Sequence, residues 1–537
     1  MKKNITILGI VACAIMLIGC GSRTKETVKE VIDKNSGDMQ DETKQEAVTL
    51  DWYINYSWFV TKWGGNLVSD TITDETGVSI NFITPMGNEE EKLNSLIASD
   101  TLPDLITLGW WEPQVSEMIA SDMVYALNEL ADEYDPLFYE VSDEAVVNWY
   151  TQPDGNIYCY PNSCYTPKDL EEHDNIAANQ TFLVRKDIYE AIGSPDMSTQ
   201  EGFYLAIVDA ARMFPEVNGQ PLIPIGAHVF DETGCVSFDQ YLQNFLAVPR
   251  EKNGKYYDRN TDPEYLSWMK MFRRLGEEGY LAPDIFVDSR IQTSEKIADG
   301  RYFCMFYQRT DLADQQKILY KNNPESIYIA VDGPRNINRD DPQIPVTGIT
   351  GWTVTMISKN CRNPERAIEL MDYMMSEHGQ KLIYLGVEGE TYDIVDGKYV
   401  IKDEVKQILN TDREAYDATY AADNAYWMLQ NNVMQLQWQP DMEEPLKQMA
   451  EWTYPYTRYA GQYEMHAFAS EEVEQIYTAT NKLWGTTIKQ LLLAESDAQF
   501  DRIVEDYITA REALGYETLL EAETEQMQQN KEKLGIK

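Results

Sequence analysis

The residues best suited to covalent chemistry in this sequence are Glu388 and Glu390, with Asp393 close by, in the turn Gly386-Val-Glu-Gly-Glu-Thr-Tyr-Asp393. A retaining glycosidase needs two carboxyl groups about 5 Å apart flanking the scissile bond, and a glycine-flanked loop could bring two there. A chain with 89 Asp and Glu produces such pairs by composition alone. Hydrogen bonding to hydroxyl groups, or a structural turn, is therefore the more economical role. The four histidines, His173, His228, His378 and His466, lie far apart, and no metal-ligand spacing connects them. Walker A, G-x-G-x-x-G, G-x-S-x-G and H-E-x-x-H runs are all absent from the sequence. The reading expects no catalytic residue, no metal and no cofactor.

Aromatic side chains supply a different, non-covalent chemistry. Tyr56 and Trp58 follow one apolar run, Trp110 and Trp111 follow another, Trp352 opens a third, and Tyr307 and Arg309 close a fourth. Such rings have broad apolar faces that match the C–H faces of a pyranose, while their polar tips and nearby amides can bond hydroxyls. The elements that must position them read as α/β. Strands are predicted over 48–54, 78–83 and 105–108, separated by helices over 66–76 and 89–98, the first stopped by Gly77. Strand and helix in alternation specify right-handed crossovers and a parallel sheet, and ligands sit beyond the carboxyl ends of its strands. That places Tyr56, Trp58, Trp110 and Trp111 on one rim. Further strands are predicted over 181–184, 302–306 and 352–357, with helices over 186–191, 199–214, 265–278 and 291–298. After Asn363-Pro364-Glu365 a helix begins, with Asn363 expected to cap it through its side chain. Long helices over 470–494 and 496–514 complete the reading.

With 537 residues the chain is too long for one ordinary core. Its formal charge of −44 repels nucleic acid and anionic lipid surfaces. A neutral or cationic ligand is favoured, and a polyuronate would need local basic residues or a bridging cation. Lys2 and Lys3 precede an apolar run over 5–18 with the layout of a secretory signal. It ends Leu17-Ile18-Gly19-Cys20, which resembles the bacterial lipobox and implies cleavage before Cys20 and lipid on its thiol. Residues 23–47 are polar and aperiodic, as in a flexible tether. Five cysteines remain after Cys13 and Cys20 are set aside, too few and too scattered for a disulfide framework, although Cys159 and Cys164 are spaced to permit a small loop bridge.

The run ISKNCRNPERAIELMDYMMSEHGQKLIYLGVEGETYD over 357–393 resembles the extracellular solute-binding proteins, family 1, that feed carbohydrate ABC importers. So do residues 75–111, ETGVSINFITPMGNEEEKLNSLIASDTLPDLITLGWW, and residues 181–214, TFLVRKDIYEAIGSPDMSTQEGFYLAIVDAARMF. The resemblance implies a bilobed type II periplasmic-binding-protein-like fold in which two α/β lobes close over a ligand. It implies a signal peptide over 1–19, a lipidated tether over 20–47, and a first lobe over 48–160 and 346–400. A second lobe would cover 161–345, and a mainly helical 401–537 would complete the second lobe and the hinge. It further implies an oligosaccharide ligand, expected to be neutral, ABC permease subunits as partners, a monomer, and a lipid-anchored place on the outer face of the cell membrane. Tyr56, Trp58, Trp110, Trp111, Tyr307, Arg309, Trp352, Glu388 and Glu390 are the expected ligand contacts. Some members carry a calcium loop where this chain has residues 214–221 with one carboxylate, which implies that the site is absent here. Two other functions fit the same residues: a surface glycoside hydrolase acting through Glu388 and Glu390, and a binding protein for peptides or another polar solute.

Overall fold

Strand Val48–Ile54 alternates exposed and buried side chains as far as Asp51 and then buries Trp52, Tyr53 and Ile54 in succession. It thus passes from the margin of a sheet to its covered interior. It pairs in parallel with Val78–Ile83 on one side and Leu105–Gly109 on the other. The computed structural model describes residues 46–442, 444–465 and 470–536. The expected signal, Cys20 and nearly all of the tether lie outside the described residues, as does His466.

The helices between these strands start and stop where their capping chemistry dictates. Asn66 accepts a hydrogen bond from the Ser69 amide at 3.0 Å, opening Leu67–Thr76, and Gly77 ends it at φ +70°. Glu89–Ala98 buries Leu93 and Ile97 against the sheet. The parallel sheet predicted from this alternation is extended by two further strands, only the first of which runs in the opposite sense. Thr353–Ile357 runs antiparallel to Leu105–Gly109, and the two-residue strand Tyr160–Pro161 pairs with it. Tyr160–Pro161 is antiparallel to Thr353–Ile357 and so runs with the first three strands; both belong to segments that pass between the lobes, not to helical crossovers. Helix Pro364–Met375 follows, but Asn363 makes no side-chain cap. Its carbonyl accepts from the Arg366 and Ala367 amides instead.

The second lobe has its own sheet, ordered Tyr328–Ala330, Gln180–Arg185, Tyr302–Gln308, Ile223–Gly226. Its core is rich in aromatic residues, with Phe182, Phe203, Phe245, Trp268 and Phe306 buried together. Helices Gln200–Met213, Pro263–Glu277, Glu471–Leu492 and Asp497–Ala513 cover it, the last two entered through Ser470 and Ser496 caps. Residues 47–537 form one compact unit containing both lobes.

Three chain segments cross between the lobes and bond to one another. Asn162, fully buried, accepts the Thr353 amide on Oδ1 at 2.8 Å and donates from Nδ2 to the Trp427 carbonyl at 2.9 Å. Its own carbonyl accepts the Trp352 amide, and Ser163 donates its amide to Gln430. Gly351, at φ +73°, is required here, because a Cβ would stand 2.2 Å from the Asn162 carbonyl oxygen.

Residues beyond 400 divide differently from the sequence expectation. Helices Asp403–Leu409 and Arg413–Thr419 and the turn Trp427–Leu429 pack Val405, Tyr416, Tyr426, Trp427 and Met428 into the first lobe's core. Their apolar positions complete that core, so only the later helices cover the second lobe. A last helix, Tyr516–Leu534, continues past Gly515, where the sequence reading stopped. It touches both lobes, through Lys531 to Glu251 at 2.5 Å and through Lys533 over the Trp149 ring at 5.6 Å. No described helix is long and apolar enough to cross a membrane.

Candidate ligand-binding site

The carboxyl ends of Val48–Ile54 and Leu105–Gly109 and the start of Thr353–Ile357 lie side by side. The registers Ile54 with Thr107 and Thr353 with Gly109 fix this. The residues that leave this edge form a quartet of rings: Tyr56, Trp58, Trp352 and Trp427. All six pairs have ring centroids 4.6–6.0 Å apart, from Trp352 against Trp427 to Trp58 stacked on Trp352 at an interplanar angle of 9°. Trp58 is 39% exposed and offers a free edge to the cleft. The structure thus brings together three of the expected contacts and adds one, Trp427.

Trp427 escaped sequence reasoning because no periodic element carries it. It follows a loop in which Ala421, Asp423 and Asn424 all have φ near +50°. For the alanine this conformation costs on the order of 1 kcal/mol. The loop is held by Arg413 on Asp417 at 2.8 Å and Asp423 at 2.9 Å, and by a reciprocal amide pair between Asn424 and Gln435. These tertiary contacts, the Asn162 bond and the amides of Asp423 and Asn424 on Tyr384 and Ile383 aim the indole at the rim.

Beside the quartet lies a polar network. Glu112 accepts the Gly109 amide at 2.7 Å and the Asn55 side-chain amide at 2.5 Å, while Tyr53 donates to Asn55 at 2.9 Å. Burial pushes the Glu112 carboxyl up to about 7, with Glu89 and Glu90 adding repulsion and the two hydrogen bonds opposing. Near neutral pH this group can therefore donate or accept. The Tyr56 hydroxyl is buried without a partner and is held well above its usual range by burial and by Glu112. Glu112 has a recognisable place, directly after Trp110-Trp111, but its partners are far away in sequence.

The facing rim belongs to the second lobe, at the exit of strand Tyr302–Gln308. Tyr307 is 2% exposed and does not line the opening; it stacks flat on His228 at 4.0 Å and forms the backing of that ring. Burial holds His228 down to about 3, with Arg290 adding to the effect, so the imidazole is neutral. Its 3.9 Å approach to Asp311 is a contact, not an ion pair. Asp311, raised by burial, meets Arg290 at 3.5 Å. Arg290 in turn reaches across the cleft, its guanidinium carbon 5.6 Å from the centre of the Trp58 ring. Arg309 sits with its guanidinium buried and Nη1 unpartnered.

The remaining expected contacts lie elsewhere. Trp110 packs on the first core, and Trp111, 50% exposed, meets it edge-on at 6.0 Å and covers Gly109; neither makes a ring contact with the quartet. Glu388 and Glu390 are exposed on a turn closed by the Gly389 amide on Tyr392. No described hydrogen bond or ion pair carries either carboxylate to the cleft. An open groove of about 490 Å³, lined by Asp100, Glu117, Lys359 and Asn360 at the opposite end of the first sheet, includes none of the rim aromatics. Among the described residues, no three His, Cys, Asp or Glu are placed to hold a metal ion, and Cys159 and Cys164 are free thiols.

Comparison with known proteins bears on this geometry. Residues 68–391, more than half of the chain, match the family of bacterial extracellular solute-binding proteins. Lipoprotein LipO of Bacillus subtilis is 20% identical over 327 residues, covering 59% of this chain and 61% of the relative. The polygalacturonan/rhamnogalacturonan-binding protein YtcQ of the same organism is 20% identical over 357 residues, covering 64% and 66%. The match thus spans under two thirds of either relative. Among solved structures, the S. pneumoniae ABC-transporter substrate-binding protein FusA in complex with kestose superposes with a TM-score of 0.69. It has 16% identity, over 90% of this chain and 99% of that one.

Proposed function

The chain belongs to the bacterial extracellular solute-binding proteins, and from that premise we propose that it captures an oligosaccharide between its lobes and delivers it to an ABC permease. The observation that carries this reading is the quartet of rings on one rim with Arg290 of the other lobe over its exposed member. A sugar held there touches both lobes only when they close, so binding shifts the open–closed equilibrium by its differential affinity. The closed form is what the permease recognises. The protein acts as a monomer, without covalent chemistry. Cys20 carries the lipid that holds it to the outer face of the membrane, and Cys20→Ala abolishes labelling by a fatty-acid precursor.

The test is a thermal-shift screen of the soluble form, begun after Cys20, against oligosaccharides and peptides, with analysis of the recovered ligand. A sugar at 100 times its dissociation constant stabilises the fold by about 2.7 kcal/mol. Recovery of that sugar intact supports the reading. A shortened sugar establishes a hydrolase, and a shift by peptides alone removes the carbohydrate cargo.

A further inference from the structure

The buried arginines among the described residues each find a protein partner for the guanidinium, in four of five cases a carboxylate. Arg273 meets Glu277 and Asp497 at 2.9 and 3.0 Å, Arg366 meets Glu369 at 2.8 Å, Arg511 meets Asp258 at 2.7 Å, and Arg185 meets Asp187 at 3.0 Å. The fifth, Arg259, donates to Asn244 Oδ1 at 2.9 Å, whereas the less deeply placed Arg309 has neither an ion pair nor a side-chain hydrogen bond among the described residues. Its Nη1 is buried without a partner, and the polar groups acting on it are the phenols of Tyr454 and Tyr165. Among the described residues no acidic side chain is supplied to this guanidinium. A buried charge without a counter-ion is costly and calls for an explanation outside the protein's own groups.

Its position supplies one. Arg309 and Asp311 leave the same strand exit as Tyr307, so Arg309 stands two residues from the carboxylate that holds Arg290 against Trp58. On its other side Tyr165 is hydrogen-bonded to Asn432, which follows Trp427 by five residues. Through Tyr165 and Asp311 the guanidinium is thus linked to the segment that carries Asn432 and to the side of the cleft that carries Arg290. The backbone carrying it is fixed in advance: Asn179 accepts the amides of Arg309 and Thr310 and donates to Gln308 and Thr310. A planar guanidinium so held matches a carboxylate through two parallel hydrogen bonds.

We propose that Arg309 binds the carboxylate of an acidic sugar, so that the cargo is an oligosaccharide containing a uronate unit. The inference rests on the oligosaccharide reading above and replaces the neutral ligand expected from net charge. A −44 field acts at long range and is screened within about 10 Å at 0.1 M salt, whereas a desolvated guanidinium acts at contact.

Calorimetric titration of the soluble chain tests this. The ligands are oligosaccharides of galacturonate, glucuronate and mannuronate, each paired with its carboxyl-reduced neutral counterpart, plus a sulfated neutral oligosaccharide. At least one uronate should bind tenfold or more tighter than its reduced partner. Arg309→Gln should abolish that difference, leave the reduced sugar's affinity unchanged, and melt no lower than the parent without ligand. Equal binding of an acidic sugar and its reduced form, or insensitivity to Arg309→Gln, overturns the proposal and leaves the oligosaccharide reading intact. Arg309-dependent binding of the sulfated sugar alone overturns the carboxylate assignment. A lower unliganded melting temperature in Arg309→Gln makes the guanidinium a structural post and also overturns it. Binding of no sugar in the panel removes both readings.

Discussion

On the first lobe's rim four rings lie within 4.6–6.0 Å of one another beside an acid, Glu112, whereas the second lobe meets them with Arg290, next to Asp311 and a neutral His228. On the first rim Trp427 is buried, and the loop that aims it is tied by ion pairs and amide bonds. A stack of rings grips any sugar that presents a C–H face and says little about which sugar it is. A fixed guanidinium discriminates by charge but has little area. Dividing the two between lobes makes closure the step in which grip and discrimination are combined.

Mutations can break this division of labour. The largest effect should come from Trp427→Ala, which removes a buried indole from the first core and costs about 3–5 kcal/mol of unfolding free energy. A loss under about 1 kcal/mol in denaturant titration would show that the quartet is not a packed unit. Trp58→Ala, at a half-exposed position, should leave stability within about 1 kcal/mol of the parent yet weaken oligosaccharide binding at least tenfold, about 1.4 kcal/mol. Unchanged affinity by calorimetry would move the binding face off this rim.

The third effect is a pH dependence. Glu112, Glu464 and Asp239 are pushed up to about 7, and Asp372 and Glu523 to about 8, each mainly by burial. Each binds its proton more tightly folded than unfolded. Between about pH 4.5 and 8 the unfolded chain has released protons that the folded chain keeps, so stability falls as pH rises. The melting temperature should therefore decline from pH 5 to 8, and Glu112→Gln should flatten the slope. A slope unaltered by that substitution would separate the rim acid from the trend. The smallest effect is expected from Arg290→Met, which removes a cation–π contact worth about 0.5–1 kcal/mol. It should favour the open form without ligand, read as a larger radius of gyration in X-ray scattering.

Much of this arrangement was legible before any coordinates. The bounds of Val48–Ile54, Val78–Ile83 and Glu89–Ala98 follow from alternation, glycine stops and Asn caps. The rim argument brought Tyr56 and Trp58 to one place, and Trp352, expected as a contact at the start of its strand, joins them there. Trp110 and Trp111 leave the same sheet edge without joining the quartet, because the rim rule fixes the end of a strand and not which rings meet there. It failed for Tyr307 because a strand exit alternates between faces, and His228 takes the outer position. Asn363 looked like a side-chain cap, but its carbonyl does the work. Trp427 and Arg290 could not be read at all, since one depends on a left-handed loop locked by distant partners and the other on a contact between lobes.

The quartet also has an optical consequence. Indoles stacked at 4.6–6.0 Å couple their electronic transitions, so Trp58, Trp352 and Trp427 form a chromophore whose near-ultraviolet circular dichroism depends on the spacing of the rings. Arg290 over Trp58 adds a nearby charge that shifts its emission. A ligand that lies against Trp58, or a closure that moves Arg290, changes the light this protein absorbs and emits. Cargo capture can thus be followed in solution without a label.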